Sequence, residues 1–180
     1  MEEKPAIDLR PFDEEKDILP FHRVYSDSVS MRYYGMRPYT DIGQSRKLIC
    51  NYIDSEINGQ SIHRVICGKF SDEYMGEIGI FNLNFMHHRA NADCILLPEY
   101  RKRGISIEAS KLFYKDIFQN WQINRIQAFV DCRNTGAIRS LEGIGFSFEG
   151  ILSQYEFFEG EYVNMAIFAL IKEKFYELYS

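Results

Sequence analysis

Along most of the chain the apolar positions recur every two or every 3.6 residues, and the switches between the two periods mark the elements. "IDLRPF" (Ile7–Phe12) alternates, which predicts a half-buried first strand. From Asp13 to about Ser28 the spacing of Ile18, Leu19, Phe21, Val24 and Tyr25 predicts a helix, with Pro20 as a bend or restart. "MRYYGMRPY" (Met31–Tyr39) keeps neither period and reads as an aromatic, cationic loop interrupted by Gly35 and Pro38. Thr40 or Asp41 can cap a second helix that gathers Leu48, Ile49, Tyr52 and Ile53 on one side and stops near Asn58–Gly59.

Three strands follow, Ser61–Phe70, Tyr74–Asn84 and Ala90–Leu97, joined by connections short enough for antiparallel hairpins. After Gly104 the helical period returns, with Ile105, Ala109, Leu112, Phe113 and Ile117 toward the sheet. "RIQAFVD" (Arg125–Asp131) is another strand, and "NTGAIRSLEGIGF" (Asn134–Phe146) a helix that buries Ala137, Ile138, Leu141 and Ile144. The tail reads as two strands around Glu159–Gly160. With no repeat, linker or low-complexity segment, residues 1–180 are expected to form one α/β (α+β) domain, a mixed sheet of six or seven strands with about four helices.

Composition narrows the function. At 180 residues and 46% hydrophobic the chain can bury a full core, and fourteen Phe with twelve Tyr argue against disorder. A net charge of −5 argues against a general nucleic-acid binder, so a bound anion should be small and held locally. The N-terminal residues lack the pattern of a secretion leader and no apolar run reaches the length of a membrane span. Cys50, Cys67, Cys94 and Cys132 are far apart, without CxxC or zinc-ligand spacing. Reduced thiols in a cytoplasmic, metal-free protein are expected.

Against that acidic background "PEYRKRGIS" (Pro98–Ser106) sets Arg101, Lys102 and Arg103 against Gly104, between an apolar strand and an amphipathic helix. A strand turning tightly into a helix aims several backbone N–H groups, and the positive end of the helix dipole, at one spot. Glycine lets the backbone approach an anion closely, and Ser106 can add a hydroxyl. The three cations are either a rim to that cradle or a solvated charge run. Neither GxxxxGK[ST] nor GxGxxG occurs.

The element present, Arg101-x-x-Gly104-x-Ser106, resembles the acetyl-CoA signature Gln/Arg-x-x-Gly-x-Gly/Ala of the GNAT superfamily of N-acetyltransferases, with serine at the last position. Asn134 to Phe146 is similar to a conserved-pattern segment of the branch related to ribosomal-protein N-terminal acetyltransferases, and Gly160-Glu161-Tyr162 to that branch's G-x-Y tail element. Asn84, Arg89 and Ala90 match its N-x-x-x-x-R-A layout, so the resemblance runs from about Ile7 to Leu170. It implies a mostly antiparallel sheet splayed at strands four and five, and transfer of acetyl from acetyl-CoA, as co-substrate, directly to a primary amine of a small molecule or a protein N-terminus. A non-catalytic acyl-CoA-binding or regulatory module of the same fold is the alternative. No nucleic acid, membrane or metal is implied, and a homodimer is compatible with the reading.

The resemblance implies that Cys94, Ile95 and Leu96 line the pantetheine arm with backbone groups, and that Arg101, Lys102, Arg103, Gly104, Ile105 and Ser106 hold the pyrophosphate. Asn134 either contacts the pantetheine region or is a plain helix N-cap, and Arg139 reads as exposed. The branch often carries a glutamate base where this chain has Asn91, which leaves Asn91 a substrate contact. Asp93, two residues on and on the same strand face, is the candidate base or substrate anchor, with Glu77, His87 and His88 behind it. An exposed carboxylate is the alternative for Asp93. Leu141 stands where many members have the tyrosine acid, so either Tyr155 or Tyr162 substitutes or no acid is needed, a thiolate being a tolerable leaving group, and the acid stays unassigned. The resemblance implies that the loop carrying Tyr33, Tyr34 and Arg37 is the acceptor wall; its cations lower the polyamine reading without excluding it.

Overall fold

The computed structural model describes residues 6–179. Strand β1 (Ile7–Arg10) leads to α1 (Glu14–Tyr25), started by the Asp13 carboxylate, which accepts from the Lys16 amide. Pro20 lies inside α1 without ending it, so the helix neither restarts nor reaches Ser28. A second short helix, α2 (Ser28–Tyr33), is capped by Asp27 and occupies the start of the segment expected as loop, because Met31 finds full burial in its turn. Helix α3 (Ile42–Ile57) begins at Asp41 in a capping box with Gln44 and ends before Gly59 at φ +67°.

Strands β2 (Ile62–Gly68), β3 (Tyr74–Asn84) and β4 (Arg89–Leu96) form the expected hairpins. They are followed by α4 (Ile105–Asn120), β5 (Arg125–Asp131), α5 (Thr135–Ile144), β6 (Ser147–Phe158), β7 (Glu161–Ile171) and α6 (Lys172–Tyr179). The described residues thus hold seven strands and six helices rather than about four. The additions are α2 and α6, and α6 docks through buried Phe175 against Phe118, ring centroids 5.4 Å apart. Leu112 departs from expectation: it is 48% exposed, because the neighbouring Phe113 and Ala109 already fill the sheet-facing stripe.

The sheet order is β1-β2-β3-β4-β5-β7-β6, antiparallel at every junction except β4–β5. Those two parallel strands pair only from Arg89–Asn91 to Arg125–Gln127 and then part, opening a wedge toward their C-terminal ends. Alternation divides the side chains between two cores. Ile62, Ile66, Ile78 and Ile80 pack under Phe113, Ile117 and Phe118, whereas Val65, Cys67, Ile95 and Leu97 pack under Phe21, Val24, Tyr25 and Ile49. The wedge therefore has α4 starting at its mouth and the α1–α3 layer above one face. No helix among the described residues is long and apolar enough to cross a membrane.

Candidate active site

Leu97 donates its amide to the Met75 carbonyl, which sets the alternation of the β3–β4 ladder. Odd-numbered residues of β4 consequently pair with β3, and the backbone groups of Ala92, Cys94 and Leu96 turn into the wedge. Ile95 is thereby corrected as a lining residue, since its backbone faces its partner Glu77. Two wedge-facing carbonyls already carry donors from this chain: the Tyr34 hydroxyl donates to Cys94 O at 3.1 Å and Arg101 Nε donates to Leu96 O at 3.0 Å.

At the mouth Gly104 holds φ +73° immediately before α4, and Lys102 holds φ +61°. A Cβ built on Gly104 would meet nothing within 4 Å, so the approach to the first amides of α4 is open to a ligand. Lys102 and Arg103 are exposed there, with Arg103 over the Tyr100 ring at 5.8 Å. Ile105 is buried, leaving only its backbone to a ligand, and Ser106 Oγ lies 2.8 Å from Ser140 Oγ of α5. Arg101 departs from the rim assigned to it. Its guanidinium runs inward to Asp27 and Ser30 and ties the lip of β4 to the start of α2. Asn134 caps α5 through Oδ1, which accepts from the Ala137 amide at 3.1 Å and leaves its amide group available as a donor. The residues present thus fit a pyrophosphate at the α4 terminus and an amide-bearing arm in the wedge.

The α1–α3 face of the same strands carries acid–base groups. Glu77 is fully buried and accepts from the Tyr25 hydroxyl at 2.5 Å; that hydroxyl is also 3.0 Å from the hydroxyl of Tyr52. Burial, and then the charge of Asp93, push the Glu77 carboxyl well above the ordinary carboxylate range. Burial also raises Asp93, to about 6, against partial relief from backbone amides at Asp93 and Gly79. One oxygen of each carboxyl, Glu77 Oε2 and Asp93 Oδ1, is sealed from solvent without a hydrogen-bond partner. A base near 6 beside a wedge-facing strand can accept a proton at neutral pH.

His63 joins this group. The register sets His63 opposite Gly79 and Gly79 opposite Asp93, in one row across three strands. The ring stacks on Tyr52 with centroids 3.7 Å apart and planes within 8°. Burial, with some help from Arg64, lowers His63 to about 3, so it is neutral. A cavity of about 380 Å³ between α3 and the strands is bordered by His63, Asp93, Tyr52, Asn51 and Gln60.

The remaining candidates divide. Asn91 Oδ1 accepts from Gln127 Nε2 at 2.9 Å and closes the narrow end of the wedge, so its oxygen is engaged there instead of facing an acceptor. Tyr155 stacks on Phe129 and Tyr162 packs on Phe157; both are more than half exposed on the β6–β7 hairpin, and neither hydroxyl has a hydrogen bond among the described residues. Tyr33 is half-buried and Arg37 is exposed without an ion pair among the described residues. His87 and His88 lie in the β3–β4 turn, the latter 2.9 Å from Gln122 O. Tyr25, Tyr52 and His63 were not expected at the site. The one available signal was the alternation of "SIHRVICGKF", which puts His63 on the buried face with Val65 and Cys67. Among the described residues no group of three or more His, Cys, Asp or Glu could hold a metal ion.

Residues 7–147 match the acetyltransferase (GNAT) domain family. The chain is 29% identical over 159 residues to spermidine N(1)-acetyltransferase of Escherichia coli strain K12, covering 88% of this chain and 82% of that one. Its fold matches spermidine N-acetyltransferase from Vibrio cholerae, solved in complex with CoA and spermine, with TM-score 0.84 at 20% identity, over 95% and 98% of the two chains. It equally matches an acetyl transferase from Salmonella typhimurium that modifies the N-terminal serine of ribosomal protein L7/L12, with TM-score 0.84 at 18% identity, over 92% and 95%.

Proposed function

Since the chain belongs to the GNAT acetyltransferase family and is an acetyl-CoA-dependent N-acetyltransferase, we propose that it acetylates a primary amine, on a small molecule or a peptide N-terminus, with Asp93 as general base. The observation that carries this is the Asp93 carboxyl, held at about 6 with Oδ1 unpartnered on the strand that forms one wall of the wedge. Acetyl-CoA supplies the acyl group as a thioester, whose thiolate is a tolerable leaving group.

The pyrophosphate rests on the amides from Arg103 to Ser106, with Lys102 and Arg103 at the rim and the Asn134 amide group facing the arm. The Cys94 amide, turned into the wedge, donates to the thioester oxygen and favours the charge that develops there. Asp93 removes a proton from the acceptor ammonium, and Tyr34 fixes the outer edge of the reacting space through Cys94 O. Departures at Asn91 and Leu141 do not strip the site of proton-accepting groups, which favours an enzyme over a silent CoA-binding module. Tyr33 and Arg37 stand on the acceptor side, where Arg37 suits an acceptor carrying a carboxylate or phosphate. A cytoplasmic setting, consistent with four free cysteines, belongs to the same reading.

The test is release of CoA thiol from acetyl-CoA with spermidine, spermine and peptides beginning in Ala or Ser. Wild type should turn over at least one of them, and Asp93→Asn should lose about 10²–10⁴-fold in kcat. An Asn variant as fast as wild type removes Asp93 from the mechanism.

A further inference from the structure

The sheet face that carries Asp93 continues past the wedge. Asn91 and Gln127 are the last paired residues of β4 and β5, so Asp93 and Phe129, two residues further along each strand, stand on opposite sides of the opening. Alternation puts Phe129 and Asp131 on this face, away from Ile126 and Ala128 in the α4 core. Phe129 stacks on Tyr155 of β6, ring centroids 5.9 Å apart and planes within 6°. The next residue, half-buried Glu156, pairs with Val163, which alternation sets on the same face, away from Ala166 and Phe168 of that core. One surface therefore runs from Asp93 across the wedge to two stacked rings and a carboxylate.

Two local features aim Glu156 at this surface. Between Leu152 and Glu156 the ladder slips by a bulge, where Gln154 holds φ +51° and donates its amide to Asn164 Oδ1 at 2.7 Å. A bulge re-aims the side chains beside it. In the loop after α2, Gly35 at φ +61° leaves the carboxylate room, since a Cβ there would sit 2.9 Å from Glu156 Oε2. Tyr34, the residue before it, holds Cys94 O, so adjacent loop residues reach the wedge and Glu156. The neighbouring charges are accounted for: Asp131 pairs with Arg133 at 2.7 Å, Arg133 lies 3.6 Å from Glu161, and the charge of Arg32 also reaches Asp131. Glu156 has no hydrogen bond or ion pair among the described residues, and burial, with the charge of Asp131, raises its carboxyl. A cation laid against it would relieve both effects.

We propose that Glu156 is a specificity-determining residue: it holds the far ammonium of an elongated aliphatic diamine whose near amine is acetylated at the wedge and whose chain crosses the Phe129–Tyr155 rings. The proposal rests on the wedge being the place of amine acetylation, and it selects among the acceptors that reading allows. From Asp93 to Glu156 the sheet takes three strand steps, β4 to β5 to β7 to β6, which is roughly 14 Å or more because the first pair is parted. A short diamine cannot bridge that span, so the row selects by length. Methylene groups pack on the exposed Tyr155 ring, and an ammonium passing over its face gains a cation–π contact. Arg32 and Arg37, the loop cations that lowered such a reading in the sequence, are both exposed.

The experiment measures kcat/KM with acetyl-CoA for octylamine, for diaminooctane with an amine at each end, and for diaminobutane, in wild type, Glu156→Gln and Glu156→Asp. Wild type should favour diaminooctane over octylamine by about tenfold or more, the worth of one charged hydrogen bond. That ratio should fall to about one in Glu156→Gln, which keeps the shape and loses the charge, and lie between the two in Glu156→Asp. Diaminobutane, too short to span the row, should not respond to the charge at 156. A diaminooctane preference absent from wild type, or undiminished in Glu156→Gln, overturns the proposal, as does an equal dependence of diaminobutane on Glu156. If peptides beginning in Ala or Ser are acetylated and none of the three amines is, the enzyme stands and the role of Glu156 falls. If Asp93→Asn is fully active while the preference still depends on Glu156, only the base assignment falls.

Discussion

At Gly104 the backbone adopts φ +73°, a region where any residue with a Cβ is strained by about 1 kcal/mol or more. Nothing of the protein lies within 4 Å of the missing Cβ, so a larger residue costs the fold little beyond that strain and instead enters the space a diphosphate would use. Gly104→Val should therefore retain a melting temperature within a few degrees of wild type and lose about tenfold or more in CoA affinity by titration calorimetry. Unchanged affinity would mean that the ligand does not rest on these amides. Glu77 is the opposite kind of residue, a carboxyl that burial pushes well above the ordinary range and that accepts a hydrogen bond from Tyr25. Glu77→Gln should leave kcat within about threefold at neutral pH, whereas Glu77→Ala strands the Tyr25 hydroxyl and should destabilise by about 1–3 kcal/mol in urea unfolding. The turn at residue 104 was legible because it is a local feature. The surroundings of residue 63 were not, since a histidine in an alternating strand looks the same whether or not a glycine and an aspartate lie beside it.

Among the elements, α2 and the end of β4 behave as one unit. Arg101 spans them, with Nε donating to Leu96 O and Nη2 to both Asp27 and Ser30, and Asp27 in turn caps α2 by accepting from the Ser30 amide. Arg101→Met keeps the apolar stem but frees a wedge-facing carbonyl and a capping carboxylate. Stability should fall by about 1–3 kcal/mol. KM for acetyl-CoA should rise, because the lip is no longer held, while the salt dependence of CoA binding stays that of wild type. A lowered salt dependence would instead show a direct phosphate contact. The hairpins and a cap for α3 at Thr40 or Asp41 were readable from period and turn chemistry, whereas the capping box with Gln44 came with the structure. Helix α2 was hidden because its six residues are too few to show a period, and α6 exists because Phe175 finds a place beside Phe118.

For the whole molecule, the buried row makes stability depend on pH in two opposed directions. Asp93 is raised from 3.8 to about 6, so as pH climbs through that interval the unfolded chain releases a proton the native state retains, and stability falls. His63 is lowered from 6.5 to about 3, so as pH drops through that interval the unfolded chain takes up a proton the native state refuses, and stability again falls. Between about pH 4 and 6 the two slopes, each about 1.4 kcal/mol per pH unit, act against one another. Asp93→Asn should gain on wild type by that slope as pH rises from 4 to 6. His63→Gln should gain as pH falls from 6.5 toward 3. Unfolding free energies measured across that range decide both, and a difference independent of pH would refute the buried pair.

By itself the sequence determined the strands, most of the helices and the tight glycine turn that starts α4. Those follow from side-chain period, capping residues and one glycine, all interactions between near neighbours in the chain. It also carried enough of the family pattern to place the wedge between β4 and β5. Only the tertiary structure decided which buried polar groups meet, that Arg101 serves as a brace instead of a rim, and which backbone groups of β4 face the wedge. Those depend on strand register and on packing between residues far apart in the chain, 74 positions for Arg101 and Asp27, and a shift of one residue would send each side chain to the opposite face.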